Sequence, residues 1–295
     1  MEDSFSSRPV VGRLIALDLR PTRPLTFLGP AWAAFCGAVA SGGLIVKSQW
    51  LLVLILSLLL CDVLLGAWRT LWLHADWRTA LRRNAASTQS WLYFSDETPS
   101  PFFARLSRQA ARRIAYARHV IWPLIDSDII GMLIAGILAL SIAVVLGQLP
   151  FALTAAAMVL GLVEGEVGTE RGAGLRALVE LAFPWLIAQS AFGSFSWLAL
   201  VFVLLFTLVY RALLALAEER RGRWSAWNNL AQLGVVLLLI FSNAPVGAGI
   251  AALGLLAQVL WQTRYRLDRD GRAYAQRVQS YVLVAMLVAG ISLWF

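Results

Sequence analysis

The chain has 295 residues, of which 59% are hydrophobic and only 14% charged, with a mean hydropathy of +0.71. A soluble domain carries about 25% charged residues, so disorder, collagen, coiled coil and a disulfide-rich secreted scaffold are excluded and a polytopic membrane protein remains. The formal net charge of +8 sets 25 basic residues against 17 acids, and every basic residue but Lys47 is arginine.

In chain order, residues 1–24 carry charges of both signs with Pro9 and Pro21 and lack a short apolar core with a cleavage site. They read as a cytoplasmic tail, not a signal peptide. A bilayer span takes about 20 apolar residues of helix. Nine segments are predicted as spans: 27–46, 50–73, 124–147, 150–164, 174–193, 197–217, 228–242, 246–261 and 280–295. The fourth, seventh and eighth are short and are predicted to pack inside a bundle or to be capped at the interface. Residues 25–295 therefore read as one all-α transmembrane domain. Cys36 and Cys61 each sit in an apolar run and read as small buried residues, since there is no CxxC and no Cys/His cluster.

The connections alternate in charge. Those predicted on one side hold 22 arginines: Arg8 to Arg23 in the tail, Arg78 to Arg118 after the second span, Arg171 and Arg176, then Arg220, Arg221 and Arg223, and finally Arg264 to Arg277. Those on the other side hold only Lys47. The positive-inside rule then places the N-terminus in the cytoplasm and Phe295 across the membrane, in a bacterial plasma membrane. A missed or false span would put a basic loop on the wrong side, so the alternation supports nine. Within the long second loop, the segment 99–119 reads as a cap. Phe102, Phe103, Leu106, Ala110, Ile114 and Ala117 form one stripe, and Arg105, Arg108, Gln109 and Arg112 face away. Such a helix lies on an anionic leaflet or rests on the bundle. Most of the 13 tryptophans read as interfacial belt residues.

Ionisable residues inside spans are costly and are functional candidates by default. Asp62 lies near the middle of the second span, with Arg69 two turns on or a polar group on another helix as its expected partner. Glu180 follows Arg176 at i,i+4 and can pair with it. Asp126 and Asp128 open the third span; Glu164 and Glu166 close the fourth. The plain alternative for each is a structural ion pair or an interfacial charge. No P-loop, GxGxxG, HExxH or GxSxG is present, and His74 and His119 are isolated.

Nine spans with an inside N-terminus and cytoplasmic loops after the second and sixth resemble the UbiA superfamily of intramembrane prenyltransferases. The first span is similar to the chlorophyll and bacteriochlorophyll synthase branch. It shows Arg23-Pro24-Leu25-Thr26-Phe27, then Pro30-Ala31-Trp32-Ala33, then Cys36-Gly37 followed by Ser41-Gly42. The likeness covers the whole chain in topology and about the first 75 residues in sequence. It implies Mg²⁺ held by two Asp-rich motifs on the cytoplasmic side, which neutralises the diphosphate leaving group. Placed by Gly66, the first motif falls on Trp72, Leu73, Asp76 and Ala80, so only Asp76 keeps a carboxylate. The second falls on 217–222; placed by Leu233-Gly234 it keeps Glu218 and then meets Gly222. The neighbouring Arg220, Arg221 and Arg223 could bind an anion directly, and Arg171 falls at a family position that contacts diphosphate.

The leading expectation is a chlorophyll-synthase-like membrane protein that has lost Mg²⁺-dependent transfer. It would bind a prenyl lipid, quinone, carotenoid or (bacterio)chlorophyll, or act as an accessory subunit of a membrane complex, plausible partners being photosynthetic subunits. The alternative is an active, divergent Mg²⁺-dependent prenyltransferase with Asp76 and Glu218 as catalytic residues and Asp126, Asp128, Glu164 and Glu166 as alternative carboxylates. The third reading is a transporter marked by Asp62 and Glu180, although no inverted repeat is evident. Nucleic-acid binding is excluded by the placement of the arginines.

Overall fold

The computed structural model describes Leu25 and residues 27–46, 48–74, 122–167, 169–193, 195–219, 223–265 and 267–294. The cap segment 99–119, Asp76, Arg220 and Arg221 lie outside the described residues.

Among those residues each of the nine apolar segments is helical and no strand occurs. The first is α1 (Pro30–Ala40). Pro30 suits the first helical position because its missing N–H has no acceptor there. The predicted span runs on to 46, but α1 stops at Ser41. The Ser41 hydroxyl donates to the Ala38 carbonyl at 2.6 Å and accepts from the Gly43 amide at 3.0 Å. Gly42 then takes the left-handed conformation, φ +68°, that favours glycine. A single turn, Gly43–Val46, follows.

The second segment is α2 (Trp50–Leu58), a π-helical stretch Leu59–Leu64, and α3 (Leu65–His74). Next, α4 (Trp122–Leu146) turns at Gly147, φ +133°, straight into α5 (Gln148–Val167). The fifth is α6 (Thr169–Ala177), a π stretch Leu178–Ala182, and α7 (Phe183–Ala191). The sixth is α8 (Trp197–Leu214) with a π stretch Ala215–Glu219. Then come α9 (Trp224–Phe241), α10 (Pro245–Arg264) and α11 (Leu267–Ser292), the last kinked at Asp270. Between α9 and α10, Asn243 takes the left-handed turn at φ 57° and Pro245 restarts the helix.

Four of these stretches are long and apolar enough to cross a membrane: Trp50–Leu73, Trp197–Glu218, Trp224–Phe241 and Pro245–Arg264. Three shorter apolar helices are Pro30–Ala40, Ile130–Leu146 and Gln148–Glu164. The first of these falls short because Gly42 ends it. The fifth and ninth segments do not qualify because charged or polar residues dilute them, Thr169 to Arg176 in one and Asp268 to Gln279 in the other.

The chain divides into two compact units. One is Met1–Ile15 with Ala67–Ala135; among its described residues, Trp68 is buried. The other, Ala16–Gly66 with Gly136–Phe295, holds both hydrophobic clusters. The larger cluster joins α1, α7, α8, α9 and α11 around Trp185, Phe202, Phe206 and Tyr274. Trp185 stacks on Phe206 with ring centroids 6.0 Å apart. The smaller cluster is built largely from alanine: Ala34, Ala38, Ala139, Ala143, Ala157 and Ala188. Lipid chains are as apolar as leucine, so helices in a bilayer gain by close backbone approach between small residues.

Helix α1 takes that approach furthest. A Cβ on Gly37 would stand 2.1 Å from the Trp185 carbonyl oxygen of α7, and one on Gly290 of α11 would stand 3.1 Å from the Cys36 carbonyl. The outside is apolar as well. Phe241 is 81% exposed and Val246 76%, and Leu51, Leu52 and Ile55 line the outer face of α2. A contiguous apolar exterior on long apolar helices is the character of a membrane protein.

Candidate functional site

Among the described residues three π stretches occur and each carries a carboxylate: Asp62 in the first, Glu180 in the second, and Glu218 with Glu219 in the third. A π turn widens a helix by one residue, releases a backbone carbonyl from the regular ladder, and recurs at functional sites. In the third stretch the widening has a partner. A Cβ on Gly271 of α11 would stand 2.1 Å from the Leu216 carbonyl oxygen, so only glycine lets α11 seat against it.

Glu180 and Glu218 are joined through Arg176. Arg176 Nε donates to Glu180 Oε1 and Oε2 at 3.3 and 3.2 Å, the i,i+4 contact that the spacing predicts. Arg176 Nη1 reaches across to α8 and donates to Glu218 Oε1 at 2.8 Å. The Tyr210 hydroxyl of α8 donates to Glu180 Oε2. The Glu180 side chain is 7% exposed, Arg176 23% and Glu218 41%, so the cluster runs from the core to the surface. One guanidinium thus serves two carboxylates and ties α6 to the end of α8.

A hard divalent cation wants several oxygen ligands of its own, and here Arg176 holds both oxygens of Glu180 and Oε1 of Glu218. Among the described residues, no group of three or more His, Cys, Asp or Glu could hold a metal ion.

The other predicted residues lie on several helices. Asp62 is half-buried in the first π stretch and Arg69 half-buried in α3. Glu164 is buried near the end of α5, where a Cβ on Gly172 of α6 would stand 3.6 Å from its Cγ. Arg223 is exposed at the start of α9. Asp126 and Asp128 lie on α4, Glu166 on α5 and Arg171 on α6; their side chains lie outside the described residues.

A reading confined to ionisable groups misses a ladder of amides between α9 and α10. Gln232 and Gln258 donate to one another's carbonyl oxygens at 2.6 and 2.7 Å. One turn away Asn229 and Gln262 do the same at 3.0 and 2.8 Å. Asn228 donates to Gln258 at 3.3 Å and accepts from Gln232 at 3.1 Å. Gln262 also donates to the Tyr274 hydroxyl at 2.9 Å. Burial pushes the Tyr274 phenol up to about 12, although its bond with Gln262 lowers it, so the hydroxyl stays neutral. The signal was present as amides spaced four apart in two apolar segments, Asn228 with Gln232 and Gln258 with Gln262. The ladder is helix adhesive, because its amides satisfy one another, those of Asn228, Gln232 and Gln258 in the buried interior. Gln258→Leu should cost about 1–2 kcal/mol by stranding the buried Gln232 and Asn228 amides. The double change Gln232→Leu/Gln258→Leu should recover much of that loss in thermal unfolding.

On α7, Trp185 Nε1 and Gln189 Oε1 are buried four residues apart without a hydrogen bond. At the far end of α7 from Arg176, a cleft of ≈ 280 Å³ opens between Gly147, Pro150, Ser190 and Phe195. It is lined by apolar groups with Gln148 and Ser190, and no lining side chain is ionisable. No protein-family model, no curated protein and no solved structure matches this chain.

Proposed function

We propose that this chain is a nine-span integral membrane protein of UbiA-like architecture that has given up Mg²⁺-dependent prenyl transfer. It acts as an accessory membrane subunit binding a prenyl lipid, quinone or pigment, and a photosynthetic complex is its proposed setting. The observation that carries the reading is Arg176, whose guanidinium lies between Glu180 and Glu218. Glu218 is the carboxylate that the resemblance leaves in the second Asp-rich position, and its Oε1 is held by an internal cation. The buried, unbonded Trp185 N–H and Gln189 carbonyl support binding, since buried polar atoms are normally satisfied and a ligand carbonyl or hydroxyl would do so.

Purification from native membranes in mild detergent tests the binding role. A prenyl lipid, quinone or pigment should be recovered at about one per chain, together with subunits of a larger complex. Recovery of the chain alone, with neither, contradicts the accessory reading. The orientation is tested separately by a protease tag after Phe295. It should be cleaved from the periplasmic side in spheroplasts; protection there would remove one span from the count.

A further inference from the structure

Trp261, near the end of α10, is approached by two guanidinium groups. Arg264 of the same helix has its central carbon 5.5 Å from the ring centroid, and Arg277 of α11 has its own at 5.0 Å. The two centres are therefore at most 10.5 Å apart, the sum of those distances. The ring itself is fixed, because its Nε1 donates to the Tyr281 hydroxyl of α11 at 3.3 Å. Both arginines are exposed, and among the described residues neither forms an ion pair. Each gains from the ring face, but the two repel one another, and a shared anion turns that repulsion into attraction.

The surroundings specify the anion. Leu256 and Leu260 lie on the same face of α10 as Arg264 and are 56% and 64% exposed. Val284, two turns beyond Arg277 on α11, is 48% exposed. The arginine pair thus caps an apolar outer face at the end of two helices, with a tryptophan at the boundary, which is where a lipid headgroup meets its acyl chains. Guanidinium groups match phosphate oxygens in geometry as well as charge, and basic pockets between helix ends bind anionic headgroups.

We propose that Arg264 and Arg277, aligned by Trp261, form a binding site for the phosphate headgroup of an anionic phospholipid, whose chains lie along α10 and α11. Trp261 is a positioning residue. This inference rests on the membrane-embedded reading, and its test separates the two.

The full chain is reconstituted in nanodiscs of phosphatidylcholine with a minor fraction of phosphatidylglycerol, and the lipids retained after release are counted by native mass spectrometry. Phosphatidylglycerol should be retained over phosphatidylcholine. Each arginine is expected to contribute about fivefold, so Arg264→Gln/Arg277→Gln should lower that preference about twentyfold or more. Trp261→Leu keeps both charges and should still lower it severalfold. Equal retention of the two lipids, a preference unchanged in the double variant, or equal competition by inorganic phosphate would overturn the proposal. Arg277→Lys, which keeps the charge, serves if the double variant melts early in phosphatidylcholine alone; it should show an intermediate preference, and a wild-type preference would overturn the guanidinium geometry. Failure of the wild-type chain to enter phosphatidylcholine nanodiscs would refute the membrane reading itself.

Discussion

Arg176→Met should lower the stability of the folded chain by about 3 kcal/mol or more. The dominant effect lies on the buried side of the cluster. Both Glu180 oxygens accept from Arg176 Nε, and the Glu180 side chain is only 7% exposed. Removing the guanidinium leaves a carboxylate in a low-dielectric core without that counter-charge. The Glu218 arm contributes less, because that side chain is 41% exposed and water screens the pair. Two companions sharpen the test in thermal or denaturant unfolding of the reconstituted protein. Glu218→Gln alone should cost at most about 1 kcal/mol. Glu180→Gln in the Met background should regain a large part of the loss, a coupling of about 1–3 kcal/mol between the two positions. If Arg176→Met and Glu218→Gln cost the same, the buried half of the cluster does not hold the helices together.

Gly37→Val is expected to be damaging as well, for a steric reason. The first added carbon would stand 2.1 Å from the Trp185 carbonyl oxygen and 2.9 Å from its Cα. These are backbone atoms of a packed helix, so no rotamer change relieves the clash and α1 must move away from α7. Overpacking of this kind costs about 1–3 kcal/mol and occasionally more. Here it also loosens the seat of Trp185, a large buried side chain. Gly37→Ala should already be measurable in the melting temperature. Gly249→Ala is the control: a Cβ there meets nothing within 4 Å, so that change should be neutral or slightly stabilising. Equal tolerance at both glycines would mean that α1 and α7 are not in contact as described.

These contacts bear on what the sequence reveals. The positions of the helices were legible, because long apolar runs separated by arginine-rich connections leave few other arrangements. The three π stretches were not, since one inserted residue leaves the apolar pattern of a fully apolar helix unchanged. The i,i+4 pair Arg176–Glu180 could be read locally, whereas the reach of Arg176 to Glu218, 42 residues away, needs α6 to lie beside the end of α8. The residues that carry the family likeness in the first span also turn out to have local structural duties. Pro30 starts α1, Gly37 admits the α7 backbone, and Ser41 and Gly42 stop the helix. Trp32 Nε1 donates to the Leu283 carbonyl of α11 at 3.3 Å. Any tightly packed first helix could call for these residue types, so the resemblance in that span speaks to packing more than to chemistry.

In the proposed function Arg176 has taken over from a divalent metal at the carboxylates. The direct measurement is transfer of a labelled geranylgeranyl group from its diphosphate to a chlorophyllide by the reconstituted chain, with and without Mg²⁺. Loss of Mg²⁺-dependent transfer predicts no product above the protein-free background at any Mg²⁺ concentration. Mg²⁺-dependent product that is lost in both Asp76→Ala and Glu218→Gln would contradict it and make the chain an active prenyltransferase.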